Sequence, residues 1–313
     1  MNDFHHIPVL LSEVVELFAS QPPGLYVDGT VGGGGHAAAV LQANPGLHLL
    51  GIDRDTSALK AAAANLAQFG DRVELVHSEF SNIQQLISER TNQGAVAIMV
   101  DLGVSSHQLD VAERGFSYRD SAPLDMKMNR TQALDASYVV NEYPLDDLTR
   151  VIRRFGEERY ARRIAEAIVA ARPVVDTGTL AGIVSEAIPA PARRKKGHPS
   201  KKTFQAIRIE VNNELDELVR ALDGSIASLA PGGRLAVLSY HSLEDKLVKG
   251  AFREAATGGC VCPSNLPCVC GAEPTVRLLR PGAWKATPDE ISANRRSKSV
   301  RMRAVERLAE EAS

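Results

Sequence analysis

The chain has 313 residues, of which 44% are hydrophobic and 24% charged, a globular balance that excludes whole-chain disorder. Thirty-six Lys+Arg against 38 Asp+Glu give a net charge of -2, which excludes a uniformly basic surface but leaves room for local basic patches. No apolar run reaches the roughly 18 residues of a membrane span, the first twenty residues lack a signal-peptide pattern, and all four cysteines fall within 260–270, so the expected location is cytoplasmic.

The elements follow in order. Leu10, Leu11, Val14, Val15, Leu17 and Phe18 recur at helical spacing. Residues 24–28 read as a buried strand, 29–36 as a glycine loop and 37–43 as the start of a helix. Residues 47–53 form a second apolar run that ends in an acid, and 56–69 an Ala-rich helix. Strand 73–77, helix 81–89 and strand 95–101 continue the rhythm. Strands alternating with helices imply a parallel sheet with right-handed crossovers, and strands apolar on both faces imply helices on both sides.

From about 110 to 192 no buried strand stands out; helical patterns cover 144–155, 159–171 and 179–188. A long helix over 203–222 leads to a glycine turn and strand over 231–239, and 276–279 and 299–305 read as final antiparallel strands. At roughly 150 residues per domain, this suits one α/β domain interrupted by a helical insertion.

Asp28-Gly-Thr-Val-Gly-Gly-Gly-Gly-His36 lies between a strand and a helix. Glycines there let a ligand approach the backbone and leave free amides at a helix N-terminus. A tight turn explains the same residues. Asp53, 18 residues after Gly35, can accept both hydroxyls of a ribose, or cap the next helix. Asp101 ends the fourth strand. Three acids at strand carboxyl ends favour a ligand carrying hydroxyls, amines or positive charge, as S-adenosylmethionine does; the pyrophosphate of NAD would be repelled. His36 has no partner spaced for a metal, so packing or ligand contact is expected. The polar loop Asp101-Leu-Gly-Val-Ser-Ser-His-Gln108 sits where amine methylases hold the amine.

His6-Ile-Pro-Val-Leu-Leu11, the loop 28–36, Gly51-Ile-Asp53 and Asp101-Leu-Gly-Val-Ser-Ser106 resemble the MraW family of small-subunit rRNA cytosine-N4 methyltransferases. So do Arg114-Gly-Phe-Ser-Tyr118, Pro123-Leu-Asp-Met-Lys-Met128, Thr203-Phe-Gln-Ala-Ile-Arg-Ile209 and Tyr240-His-Ser-Leu-Glu-Asp-Lys246. The likeness runs from about His6 to Arg307. It implies an α/β fold of class I S-adenosylmethionine-dependent methyltransferase type, Rossmann-like with a mostly parallel sheet and an inserted all-helical domain. It also implies S-adenosylmethionine as donor and N4-methylation of one cytidine of 16S rRNA near the decoding centre. The expected boundaries are 1–109 and 206–313 for the donor-binding domain and 110–205 for an insertion that completes the substrate cleft. Carried over by motif, donor contacts come from Gly34, Gly35, His36, Asp53, Phe80, Asp101 and Gln108. The sequence departs from the family pattern at Ser121, Lys127 and Lys201-Lys202, where Asp, Arg and Thr-Arg are usual.

Asp101 and the Ser105-Ser106 loop are expected to orient the amine, with His241 assisting. Arg193, Arg194, Lys195, Lys196, Lys201 and Lys202 place six positive charges within ten residues, and Arg295, Arg296, Lys298, Arg301 and Arg303 form a second group. Phosphate contact is one reading and a solvated surface the other. Phe116, Tyr118 and Met126 are candidates for a base platform, or for insertion core. The expected partner is 16S rRNA or the small subunit, with no membrane; a homodimer is compatible. Cys260-Val-Cys262 and Cys268-Val-Cys270 offer four thiolates to zinc, but at tighter spacing than the usual C-x2-C pairs, so a surface loop is the simpler reading and no metal is assigned. Two rivals are an NAD-dependent oxidoreductase and a non-catalytic RNA-binding assembly factor.

Overall fold

The structure, a computed structural model, describes residues 8–103, 111–119, 121–194, 198–263 and 269–309. The chain divides into two compact units, one of residues 1–103 and 215–313, the other of 104–214.

The first unit is built on a seven-stranded sheet. Its strands are β1 (Gly24–Asp28), β2 (Leu47–Asp53), β3 (Val73–His77), β4 (Ala95–Asp101), β5 (Leu229–Ser239), β6 (Val276–Leu278) and β7 (Arg301–Arg307). Their spatial order is β3-β2-β1-β4-β5-β7-β6. The first five run parallel; β7 is antiparallel to β5, and β6 to β7. This is the Rossmann-like class I methyltransferase arrangement. The strand order reverses between β1 and β4, so their carboxyl ends bound the crevice where open α/β sheets take ligands.

The α-helices of the first half of this unit are α1 (Leu11–Ala19), α2 (Gly35–Ala43), α3 (Thr56–Leu66) and α4 (Ile83–Ser88). Successive strand residues send side chains to opposite faces. Tyr26, Met99 and Ala236 therefore join Val14, Phe18 and Val40 in one layer, while Val27, Ile98 and Val237 join Ile83, Leu218 and Phe252 in the other. Both faces are dry, which is why these strands are apolar throughout rather than alternating.

The second unit is helical, with α5 (Ala136–Asn141), α6 (Leu145–Gly156), α7 (Ala161–Ala170), α8 (Thr177–Ala187), α9 (Ala190–Arg193) and α10 (Lys201–Asn212). Leu148 and Ile152 of α6, Ile164 and Ile168 of α7, Val184 of α8 and Ile207 of α10 share its core. Asp135 and Asp176 cap α5 and α8 by accepting the amides of Tyr138 and Thr179. Among the described residues, the extended pairing inside this unit is one bridge, Pro123 with Asp176.

One expectation is corrected. The single helix over 203–222 is two, α10 and α11 (Glu214–Ala227), broken at Asn213, whose φ is 48°. The cause is Asn212. Its Nδ2 donates to the carbonyls of Met126 and Arg208, and its Oδ1 accepts the Met128 amide, all within 2.9 Å. Asn tolerates the left-handed conformation that ends the helix there. The other α-helices among the described residues are α12 (Ser242–Thr257) and α13 (Pro288–Ala293). No helix among the described residues is long and apolar enough to cross a membrane.

Candidate active site

Asp28, Asp53 and Asp101 end β1, β2 and β4. Asp28 is buried, and its carboxyl is pushed up to about 7, first by desolvation and then by the charges of Asp101 and Asp53. Burial also raises Asp53. Its Oδ2 accepts the Gly32 amide at 2.9 Å and its Oδ1 the Asp55 amide at 2.8 Å. The cap of α3 is Asp55, which accepts the Ser57 amide, so Asp53 is not consumed as a helix cap. A partly buried carboxylate held by two amides is a preorganised acceptor for hydroxyls.

The glycines of the loop have different jobs. Gly34 is the N-cap of α2 with φ 79°, and a Cβ there would press on Leu66 at 3.0 Å. A Cβ on Gly35 would meet Pro8 Cγ at 2.8 Å. Both are therefore glycine for packing. Gly33 is exposed, its φ is not positive, and a Cβ there meets nothing within 4 Å. The fold does not require glycine at 33, and motif matching did not single it out. Open space above the N-terminus of α2 fits an approaching ligand.

His36 is buried in the first turn of α2, and its Nε2 donates to the Val9 carbonyl at 2.8 Å. Burial lowers its pKa to about 4, so the ring is neutral and Nδ1 presents a lone pair. That nitrogen lies 3.9 Å from Asp101 Oδ2. The Asp101 amide donates to Thr30 Oγ1 at 2.6 Å, and its Oδ1 accepts the Tyr240 hydroxyl at 2.8 Å. Acceptors converge here from three strand ends. The donor set suits a ligand bearing hydroxyls and positive charge.

Phe80 is buried beside the loop, 3.7 Å from where a Gly29 Cβ would stand. Ser105 and Gln108 lie outside the described residues, as do Lys195 and Lys196. His241 is the N-cap of α12: Nδ1 accepts the Glu244 amide at 3.3 Å, and Glu244 Oε2 accepts the His241 amide at 3.1 Å. Its Nε2 is 3.1 Å from Glu244 Oε1. A proton relay through His241 has to break this capping box.

Of the basic groups, Arg193, Arg194, Lys201 and Lys202 are exposed on the helical unit, Lys202 Nζ reaching the Glu157 carbonyl at 2.8 Å. Arg295 and Arg296 are exposed on the sheet unit. Arg301 and Arg303 instead bind Asp245, at 2.7 and 2.8 Å, which neutralises much of that group. Phe116 and Met126 are core, and Tyr118 stacks on His198. A basic concavity that spacing did not suggest is lined by Arg150, Arg153, Arg154 and Arg162 with Asp146 and Thr149, about 480 Å³ in volume. On paper those arginines look like the solvated side of two amphipathic helices.

The model of the MraW methylase family matches residues 3–308. The chain belongs to the MraW methylase family. It is 51% identical over 311 residues to the ribosomal RNA small subunit methyltransferase H of Heliobacterium modesticaldum, covering 97% of this chain and 99% of that one. The proteins of the same name from Symbiobacterium thermophilum and Thermobifida fusca are also 51% identical, each over 97% of this chain and over 97% and 94% of their own lengths. As a methylase on this sheet, the chain takes its methyl group from S-adenosylmethionine. Membership sets aside the oxidoreductase alternative. The methylase's acidic strand ends complement a cationic sulfonium donor better than an anionic dinucleotide.

Proposed function

We propose that this methylase transfers a methyl group to N4 of a single cytidine of 16S rRNA in the small ribosomal subunit, near the decoding centre. The observation that carries the chemistry is Asp101 at the strand-order reversal, held by the Tyr240 hydroxyl at 2.8 Å and facing the neutral ring of His36. The relatives' printed name, shared at 51% identity, supports the rRNA substrate.

S-adenosylmethionine supplies an electrophilic methyl on a positively charged sulfur. In this reading the Asp53 carboxylate holds the ribose hydroxyls, Phe80 lies against the adenine, and the Gly33–His36 backbone lets the donor approach closely. Asp101 closes the site together with Gln108. A cytosine amine is conjugated with its ring and is a weak nucleophile. Asp101, with Ser105, accepts from its N–H, fixes it in line with the methyl group and frees its lone pair. After transfer the nitrogen must lose a proton, and the same carboxylate accepts it. Asp28, which titrates at about 7 and so is only partly ionised at neutral pH, leaves the crevice less negative than three full charges would.

The helical unit is assigned to RNA recognition. Arg193, Arg194, Lys201 and Lys202, with the arginines around α6 and α7, contact phosphates through charge rather than base identity. Arg295 and Arg296 contribute from the sheet unit.

The test is transfer of radiolabelled methyl to naked 16S rRNA, 30S particles and 70S particles, followed by nucleoside analysis. The expected product is N4-methylcytidine at one position. Label on another base or atom, or none on any substrate, overturns the proposal. Loss of product in Asp53→Ala and Asp101→Ala excludes a non-catalytic assembly factor.

A further inference from the structure

The thiols of Cys260, Cys262 and Cys270 lie within 4.8 Å of one another, in the segment that joins α12 to β6. None of the three is in a disulfide. In a tetrahedral zinc site with Zn–S bonds of about 2.3 Å, neighbouring sulfurs stand roughly 3.8 Å apart. Closing this cluster onto an ion therefore needs movements of about 1 Å or less, within the reach of side-chain rotation.

The backbone explains the convergence. Cys260 and Cys262 are half-buried while Val261 between them faces solvent, so the two thiols lie on the side away from water. Val261 is 90% exposed and Val269 is 89% exposed. Gly258, Gly259 and Gly271 have φ of 61°, 73° and 68° and bend the chain back on itself. A Cβ on Gly258 would meet the Glu273 amide nitrogen at 2.5 Å, so the two arms of the segment touch backbone to backbone. Thr275 then donates to the Ala255 carbonyl at 2.9 Å. The described part of this segment has no helix or strand, and its valines face water. None of the described residues of the segment is fully buried, yet three sulfurs are gathered in one place.

We propose that Cys260, Cys262 and Cys270 form a structural zinc site that fastens the segment between α12 and β6. Each ligating thiol gives its proton to solvent and forms a Zn–S bond; no redox change is involved. A water or a further side chain completes the tetrahedron. The site supplies the cohesion that burial does not give the described part of this segment.

The experiment uses the full chain, purified under reducing conditions, loaded with zinc chloride and desalted. Metal analysis is expected to give about one zinc per chain, falling to background in the triple variant Cys260→Ser/Cys262→Ser/Cys270→Ser. Cobalt(II) in place of zinc is expected to give a tetrahedral d–d spectrum with a thiolate charge-transfer band. A chelator is expected to lower the thermal midpoint of the zinc-loaded protein and to leave the variant unmoved. Zinc lost on desalting, equal zinc in the triple variant, or a cobalt spectrum without the thiolate band overturns the proposal. The cobalt spectrum reads the parent protein alone, so it decides even where the triple variant fails to fold.

Discussion

The hydroxyl of Tyr240, the residue after β5, donates to Oδ1 of Asp101, the last residue of β4, at 2.8 Å. Burial and the charge of Asp101 push the phenol well above its ordinary pKa, so it stays a donor through the neutral range. Hydrogen bonds to a charged group contribute about 1.5–3 kcal/mol each. Removing this one takes away a hydrogen bond that orients the Asp101 carboxylate. Tyr240→Phe is therefore expected to slow single-turnover methyl transfer about 10- to 100-fold. Donor affinity, measured by calorimetry, should change less. A variant that transfers methyl at the parental rate removes Tyr240 from the positioning of Asp101.

Gly33 and Gly35 separate ligand space from packing. Gly33→Val projects into open space, so its thermal midpoint is expected to stay near the parent's, while affinity for S-adenosylmethionine falls tenfold or more. Gly35→Ala meets Pro8 at 2.8 Å and is expected to cost about 1–3 kcal/mol of stability. Calorimetric titration and urea unfolding on both variants check the pair. Unchanged donor affinity in Gly33→Val moves the donor away from this loop.

His241 tests cap against relay. Losing an N-cap side chain costs about 1 kcal/mol. His241→Ala is expected to lower stability by that amount, and His241→Ser, which restores a capping oxygen, to recover most of it. Single-turnover rates of folded protein are expected to match the parent's at every pH in both. A rate that falls in both variants, with its pH profile flattened, makes His241 a proton carrier instead.

The central strands β1, β2, β4 and β5 were legible because each is bounded by turn residues and largely buried. β1 to β4 begin and end where apolar runs begin and end. The break at Asn213 was not legible. Phe204, Ile207, Val211 and Leu218 continue a helical stripe across it, and the break depends on Asn212 reaching backbone groups some 84 and 86 residues away in sequence. The acids at strand ends could be read as a group because topology alone brings them together. What each glycine does could not, since packing against Leu66 and Pro8 distinguishes Gly34 and Gly35 from Gly33. His241 hid its role because histidine is a rare cap; the Glu three residues later was the available signal.

Asp28 makes stability depend on pH in a fixed direction. Its folded-state carboxyl titrates at about 7, against 3.8 for the ordinary group. Below about 3.8 both states hold the proton, and burial of the group carries no charge penalty. As pH rises toward about 7, the unfolded chain ionises readily while the folded one does not, so stability falls; above about 7 the penalty is constant. Asp28→Asn keeps an oxygen for the Thr30 amide, which Asp28 Oδ1 accepts at 3.1 Å, and cannot ionise. It is expected to be more stable than the parent at pH 8, by at most on the order of 4 kcal/mol, with the gap closing toward pH 4. His36, held neutral with its pKa lowered to about 4 by burial, works the other way, losing stability as pH falls from 6.5. It is present in both proteins and cancels in the difference. Urea unfolding of the pair at pH 4, 6 and 8 reads the gap directly. A gap equal at pH 4 and pH 8 means that Asp28 does not titrate in this range.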